Sequence, residues 1–111
     1  MRQRVGETRE EFNLRATAYM RKRYAEAIAW LREYKVEQGC VDCGYNAHHA
    51  GLEIDHVDEP RNGDQSRRIG AMAVRGINVL KRELQKCEVV CGTCHGVRTW
   101  ERAQAESGPI V

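Results

Sequence analysis

Large aliphatic and aromatic residues are scarce in this sequence of 111 residues. Leu, Ile, Val and Phe together number 21, and Phe occurs once. Disordered chains have a similarly low content of these residues together with a high net charge. Here the net charge is only +2, because 18 basic residues nearly balance 16 acidic ones. The sequence therefore predicts one small domain with a thin core, which needs another source of stability such as a bound metal.

Long apolar runs and export signals are also missing. No stretch approaches the roughly 20 apolar residues of a membrane span, and no basic N-terminal segment precedes an apolar core. We therefore expect a cytoplasmic protein, whose thiols stay reduced and bind metals more readily than they form disulfides. A length of 111 residues excludes barrel and doubly wound enzyme folds.

Charge is distributed unevenly along the chain. Residues 1–37 and 67–111 have net charges of +3 and +4, and residues 38–66 between them have −5. Arg accounts for 14 of the 18 basic residues, and its guanidinium binds phosphate oxygens in pairs. An acidic centre between basic flanks favours a cation site bordered by phosphate-binding surface, although solvated helix faces explain the charge alone more simply.

Local patterns predict a small α+β domain. Thr8 and Glu11 form a capping box, and Gly39 is typical of a helix end, so a long basic helix is predicted. Strands are predicted at 52–57 and 88–90, helices at 77–86 and 95–105, and a loop at 59–65, with 66–76 ambiguous. The predicted division is a flexible N-terminus (1–7), the basic helix (8–38), a core (39–105) and a flexible tail (106–111).

Two Cys-x-x-Cys pairs are the strongest signal. They are Cys40 with Cys43, and Cys91 with Cys94. Each pair can bind one ion through a tight turn, and two pairs complete the tetrahedral thiolate shell of a structural Zn²⁺. The 47 residues between the pairs exceed the gap of a simple zinc ribbon, which predicts that a strand and the acidic loop are inserted between them.

Two features of the cysteines allow other interpretations. The fifth cysteine, Cys87, is expected to pack as a small apolar side chain rather than to bind metal. The run from Cys91 to His95 also matches a c-type haem attachment motif. Haem would leave the first cysteine pair without a role, and its attachment normally requires export.

A second cluster of ligand-type side chains is expected beside the zinc. Asp55 and His56 are adjacent in the first predicted strand, and His95 follows the second cysteine pair directly. If all four cysteines hold one ion, His95 comes close to that strand. One carboxylate and two imidazoles suit a hard divalent cation, with one imidazole left to remove a proton from water. Taken singly, each of the three residues has an ordinary structural explanation.

In combination these motifs resemble the zinc-containing HNH endonucleases, a family common in bacteria and phage genomes. The motifs are Cys40-x-x-Cys43-Gly44, Leu52-Glu-Ile-Asp-His56-Val57, the segment from Glu83 to His95, and Arg98-Thr99. The resemblance covers roughly residues 20–100. It implies a ββα-metal, treble-clef-like core in which two strands and a helix hold a catalytic ion, braced by the four-cysteine zinc site. For a phage-encoded chain it implies the host cytoplasm.

The resemblance also implies roles for individual residues. Asp55 and His95 correspond to ligands of the catalytic divalent ion, which is Mg²⁺ or Mn²⁺, or else Ni²⁺, Co²⁺ or Zn²⁺, and His56 to the general base. A regular strand would direct Asp55 and His56 to opposite faces, so we expect the strand to bend or end there. Thr93 stands where the family usually has Asn, and it has a hydroxyl but no amide.

The predicted function is therefore metal-dependent hydrolysis of DNA phosphodiester bonds, with contacts mostly to the DNA backbone. The expected backbone contacts are Arg21, Lys22, Arg23, Arg67, Arg68 and Arg98. The alternative is a zinc-stabilised nucleic-acid-binding module with the same fold and little or no cleavage because of Thr93. A third hypothesis is a purely structural or partner-binding zinc domain. No membrane partner is expected, and a larger phage or host assembly is a candidate recruiting partner.

Overall fold

The fold is known from a computed structural model that describes residues 2–57 and 69–107. Within these ranges the elements are α1 (Arg9–Gln38), a 3₁₀ turn (His49–Gly51), β1 (Leu52–His56), α2 (Ile69–Val74), α3 (Ile77–Leu84), β2 (Cys87–Cys91) and α4 (Gly92–Ser107). The predicted small α+β class is confirmed. None of the described helices is long and apolar enough to cross a membrane. The predicted loop at 59–65 and residues 108–111 of the predicted tail lie outside the described residues.

The first helix begins and ends where its cap signals predicted. The hydroxyl of Thr8 accepts the N–H of Glu11 at 3.0 Å, and Gly39 ends the helix with a φ of 67°, which glycine adopts without a Cβ clash. Glu7 precedes the helix, and its carboxylate is bound by the guanidinium of Arg15 at 2.9 Å. These contacts tie the N-terminal segment to the start of α1; its flexibility stays a prediction.

The larger apolar core lies between α1 and the α2–α3 pair. Its buried members are Ala27, Leu31, Met72, Ala73, Leu80 and Leu84. Ile28 and Tyr34 pack at its edge, whereas Tyr24, at the start of the predicted apolar stripe, is exposed. Only the second half of α1 therefore contributes to this core.

The two strands pair in antiparallel register and cover a second, smaller core. Leu52 lies opposite Cys91, and His56 lies opposite Cys87. Leu52, Val89, Val90 and Cys40 are the buried members of this core. Its size agrees with the shortage of large apolar residues in the sequence.

The last helix follows β2 without a loop and starts at Gly92, three residues before the predicted start. The sulfur of Cys91 accepts the N–H of Cys94 at 3.4 Å. This is the contact by which an N-cap side chain satisfies an amide in the first turn of a helix. None of the described side chains of α4 is fully buried, so polar contacts rather than apolar burial hold this helix on the sheet.

We expect Leu80→Ala to lower the free energy of unfolding by about 2–5 kcal/mol, because it leaves a cavity in the larger core. Leu80 is 0% exposed. Leu14→Ala is the matched control, since Leu14 is 73% exposed on α1 and its loss should change stability by less than about 0.5 kcal/mol. Urea denaturation measures both, and equal effects of the two substitutions would contradict the described core.

Candidate metal centre and neighbouring acidic site

Four thiols from separate parts of the chain meet in one cluster. The Sγ atoms of Cys40, Cys43, Cys91 and Cys94 all lie within 4.8 Å of one another. The Sγ atoms of Cys43 and Cys91 are 3.7 Å apart. Zn–S bonds of about 2.3 Å in a tetrahedral site put the sulfur atoms about 3.8 Å apart, so the cluster has the size that such an ion requires. The prediction that the two cysteine pairs combine into one site able to hold a metal is confirmed.

Cys87 lies outside this cluster. Its thiol donates to the carbonyl oxygen of Glu83 at 3.3 Å, and its side chain packs at the edge of the larger core. This position agrees with the small apolar role expected for Cys87 from the sequence.

The surroundings of the cluster lower the pKa of one thiol, that of Cys40, and raise the pKa of another, that of Cys94. Burial disfavours the thiolate of Cys40, but backbone hydrogen bonds, that of Cys91 foremost, lower its pKa to about 6. The hydrogen bond with Cys91 and burial raise the pKa of Cys94, since one thiolate opposes the formation of another nearby. A cation among the sulfur atoms relieves this opposition, and therefore favours the fully deprotonated set.

Asp55 on β1 is a buried carboxylate that faces α4. It is only 2% exposed. Arg102 contacts its two oxygen atoms at 3.0 and 2.6 Å, and Arg98 donates to Oδ2 at 2.8 Å. Burial opposes ionisation of Asp55, but the two guanidinium groups outweigh it and lower its pKa to about 2. Asp55 is therefore a carboxylate at neutral pH.

Arg98 connects the cysteine cluster to the sheet. Its guanidinium binds both carboxylate oxygens of Asp42, between the first two cysteines, at 2.7 and 2.9 Å. Its Nη1 also donates to Asp55 and Glu88 at 2.8 and 2.9 Å. Asp55 and Glu88 are directly opposed across the two strands, an arrangement that repels. Arg98 offsets this repulsion, and the three carboxylates raise its pKa, with the hydrogen bonds that it donates to Asp42 the largest cause.

Arg98 was predicted from the sequence to bind phosphate. Its side chain is 17% exposed, and its guanidinium is engaged by three carboxylates of the protein. In this structure the side chain thus forms ion pairs within the protein. Phosphate binding by Arg98 stays a prediction that these contacts do not support.

His95, in the first turns of α4, lies between two carboxylates of β1. Its Nδ1 is 2.5 Å from Oε2 of Glu53, and its Nε2 is 3.7 Å from Oδ1 of Asp55. Glu53 and Asp55 share one face of the strand because they are two residues apart. A carboxylate on one ring nitrogen orients a histidine so that the other nitrogen can bind a metal.

The pair formed by Asp55 and His95 comes near the spacing of two ligands of one divalent cation. Ligand atoms 3.7 Å apart can share a four-coordinate ion with bonds of about 2.1 Å, whereas octahedral Mg²⁺ requires adjacent ligand atoms about 3.0 Å apart. Arg102 contacts the same Oδ1 atom at 3.0 Å, so a cation and Arg102 compete for it. The structure brings Asp55 and His95 together, as predicted, and adds Glu53 and Arg102, which the sequence analysis missed.

His56 does not join this acidic site. The strand stays paired through His56, and the N–H of Val57 continues the pairing by donating to Lys86 at 3.0 Å. β1 ends at His56, which is one of the two outcomes expected there, but Asp55 and His56 still project to opposite faces of the strand. The Nε2 atom of His56 lies 3.2 Å from Oε1 of Glu83 on α3. The expected trio of Asp55, His56 and His95 is not assembled.

Thr93 is exposed in the first turn of α4. Within the described part of the chain, its hydroxyl makes no hydrogen bond to Asp55, His95 or the cysteine cluster. Among the described residues, Thr93 therefore gives these side chains no hydrogen-bond support.

Apart from Arg98, the basic residues predicted to bind DNA fall into two groups. Arg21, Lys22 and Arg23 are exposed in the middle of α1. Arg67 and Arg68 lie outside the described residues.

Comparison of the chain with protein-family models, curated proteins and solved structures found no match.

A signal for the missed residues is present on α4. His95, Arg98 and Arg102 are spaced by three and four residues, which puts them on one helix face. The acidic residues Glu53 and Asp55 alternate on β1. Opposite charges with these two periods indicate a helix packed on a strand through ion pairs.

We expect Arg98→Gln to lower the free energy of unfolding by about 1–3 kcal/mol, because the substitution removes a charged donor from buried and half-buried carboxylates. Glu101→Gln is the control, since Glu101 is exposed on the same helix. Thermal and urea unfolding measure the difference. Unchanged stability combined with weaker DNA binding would instead return Arg98 to the predicted phosphate-binding role.

Proposed function

We propose that this chain is a metal-dependent DNA endonuclease of the HNH type. The observation that supports this most is the 3.7 Å approach of Asp55 and His95, which come from a strand and a helix 40 residues apart. Their arrangement beside a four-cysteine cluster agrees with the ββα-metal core that the sequence motifs imply. DNA is the proposed substrate and partner.

The four cysteines are proposed to hold a structural Zn²⁺. Tetrahedral thiolate sites are typical of this ion, and the sulfur spacing fits it. Two small apolar cores leave the fold dependent on additional stabilisation, which a metal bound between α1, β2 and α4 would supply. Catalysis is then the task of the separate pair, Asp55 and His95.

The residues around this pair prepare it for a divalent ion such as Mg²⁺ or Mn²⁺. When bound, such an ion would polarise the phosphodiester and stabilise the negative charge that develops during hydrolysis. Glu53 acts as a positioning residue, because its carboxylate accepts the Nδ1–H of His95 and leaves Nε2 directed toward Asp55. Arg98 and Arg102 keep Asp55 ionised, and Arg102 competes with the cation for Oδ1.

His56 is the proposed general base on the strength of the family resemblance. Glu83 would stabilise its ring after protonation, since the two groups are 3.2 Å apart. This role requires the end of β1 to turn toward the acidic site. The present orientation of His56 is the specific observation that favours a second candidate, a zinc-stabilised nucleic-acid-binding module with weak or no cleavage.

Removal of zinc should unfold the chain. Structural Zn²⁺ contributes ~10–16 kcal/mol in zinc-finger peptides, more than the total stability of most small domains. We expect Cys91→Ser and exhaustive chelation each to abolish cooperative unfolding measured by circular dichroism. Cys87→Ser is the matched control and should retain one zinc per chain by metal analysis. A chelated chain that still unfolds cooperatively would refute a structural zinc.

The catalytic roles should separate in a plasmid-nicking assay with Mg²⁺ or Mn²⁺. Asp55→Asn and His95→Ala should raise the concentration of divalent ion needed for cleavage, so that excess metal restores part of the rate. His56→Ala should lower the rate by ~10²–10⁴-fold at every metal concentration, as expected for loss of a general base. Glu101→Gln should leave the rate unchanged. A wild-type chain that binds plasmid but never nicks it would favour the binding module.

A further inference from the structure

A groove of about 360 Å³ opens between α1 and the turn that joins α2 to α3. Three cationic side chains, those of Lys22, Arg23 and Arg75, line it together with one acidic side chain, that of Glu26. None of these residues belongs to the cysteine cluster or to the acidic site. The groove is therefore a separate, positively charged feature of the surface.

One guanidinium in this groove is held in place by the protein. Arg23 donates to the carbonyl oxygen of Arg75 at 2.6 Å and to the hydroxyl of Tyr19 at 3.2 Å. Gly76 makes room for it, because a Cβ at that position would lie 2.6 Å from two nitrogen atoms of Arg23. A side chain that is already fixed loses little entropy when it binds a ligand.

We infer that this groove binds a phosphate group of a nucleic-acid backbone. Arg and Lys are the side chains that bind phosphate most often, the first through paired donors and the second as a point charge. The excess of cations over acids favours an anion, and the groove volume of about 360 Å³ exceeds what a single phosphate ion fills. The inference rests on the proposed function, since it names where the same chain grips DNA outside the cleavage site.

The test measures binding rather than cleavage. Affinity for a labelled DNA duplex is followed by fluorescence anisotropy over a range of salt concentrations, in the Asp55→Asn background without added Mg²⁺. Arg75→Gln and Lys22→Gln should each weaken binding for all duplex sequences alike. Each should also reduce the slope of log affinity against log salt by up to ~0.9, the value for one lost phosphate contact. Arg82→Gln, an exposed cation on α3 outside the groove, should leave the slope unchanged.

Two results would overturn the inference. The first is a salt slope that neither groove substitution alters. The second is displacement of duplex by inorganic phosphate at concentrations similar to those of the duplex itself, which would make the groove a site for a small free anion. Failure of the proposed nuclease is a different result, because a chain that never nicks DNA but loses salt slope with Arg75→Gln still supports the groove.

Discussion

The approach of four sulfur atoms to within 4.8 Å joins the end of α1, the end of β2 and the start of α4. Both apolar cores are small, and none of the described side chains of α4 is fully buried. The position of α4 on the sheet therefore depends on the sulfur cluster and on ion pairs. These contacts therefore also determine where α4 places the polar groups that face β1, including His95.

Ion pairs, and not packed apolar side chains, form the interface between α4 and the sheet. Carboxylates of the strands and of the first cysteine turn face the guanidinium groups of Arg98 and Arg102. Buried charges are stable only with close partners, so this interface accepts few alternative alignments. One of the carboxylates that fasten the helix, that of Asp55, is also the one proposed to bind a divalent cation, so Arg102 would compete with that cation for it.

Features set by short-range rules could be predicted from the sequence. Thr8 and Gly39 marked the ends of α1 because caps depend on neighbouring residues, and the two cysteine pairs predicted their own cluster because a metal site has fixed ligand numbers. The early start of α4 was missed because its cap is the sulfur of Cys91, which is not a usual cap residue. The spacing of charges on α4 and β1 indicated ion pairs between them, but which guanidinium meets Asp55 and where His56 points depend on how α3 and α4 cross the sheet, and no local pattern encodes that.

Arg98 also has a thermodynamic consequence for the two sites it joins. One guanidinium binds Asp42 within the first cysteine turn and Asp55 in the acidic site, so the conformations of the two sites are coupled. Linkage of this kind is reciprocal. If a ligand drew Arg98 away from Asp42 and thereby changed the affinity of the cysteines for a metal, that metal would change the affinity for the ligand by the same factor. A single side chain thus connects the turn that holds the first two cysteines with the strand that holds Asp55.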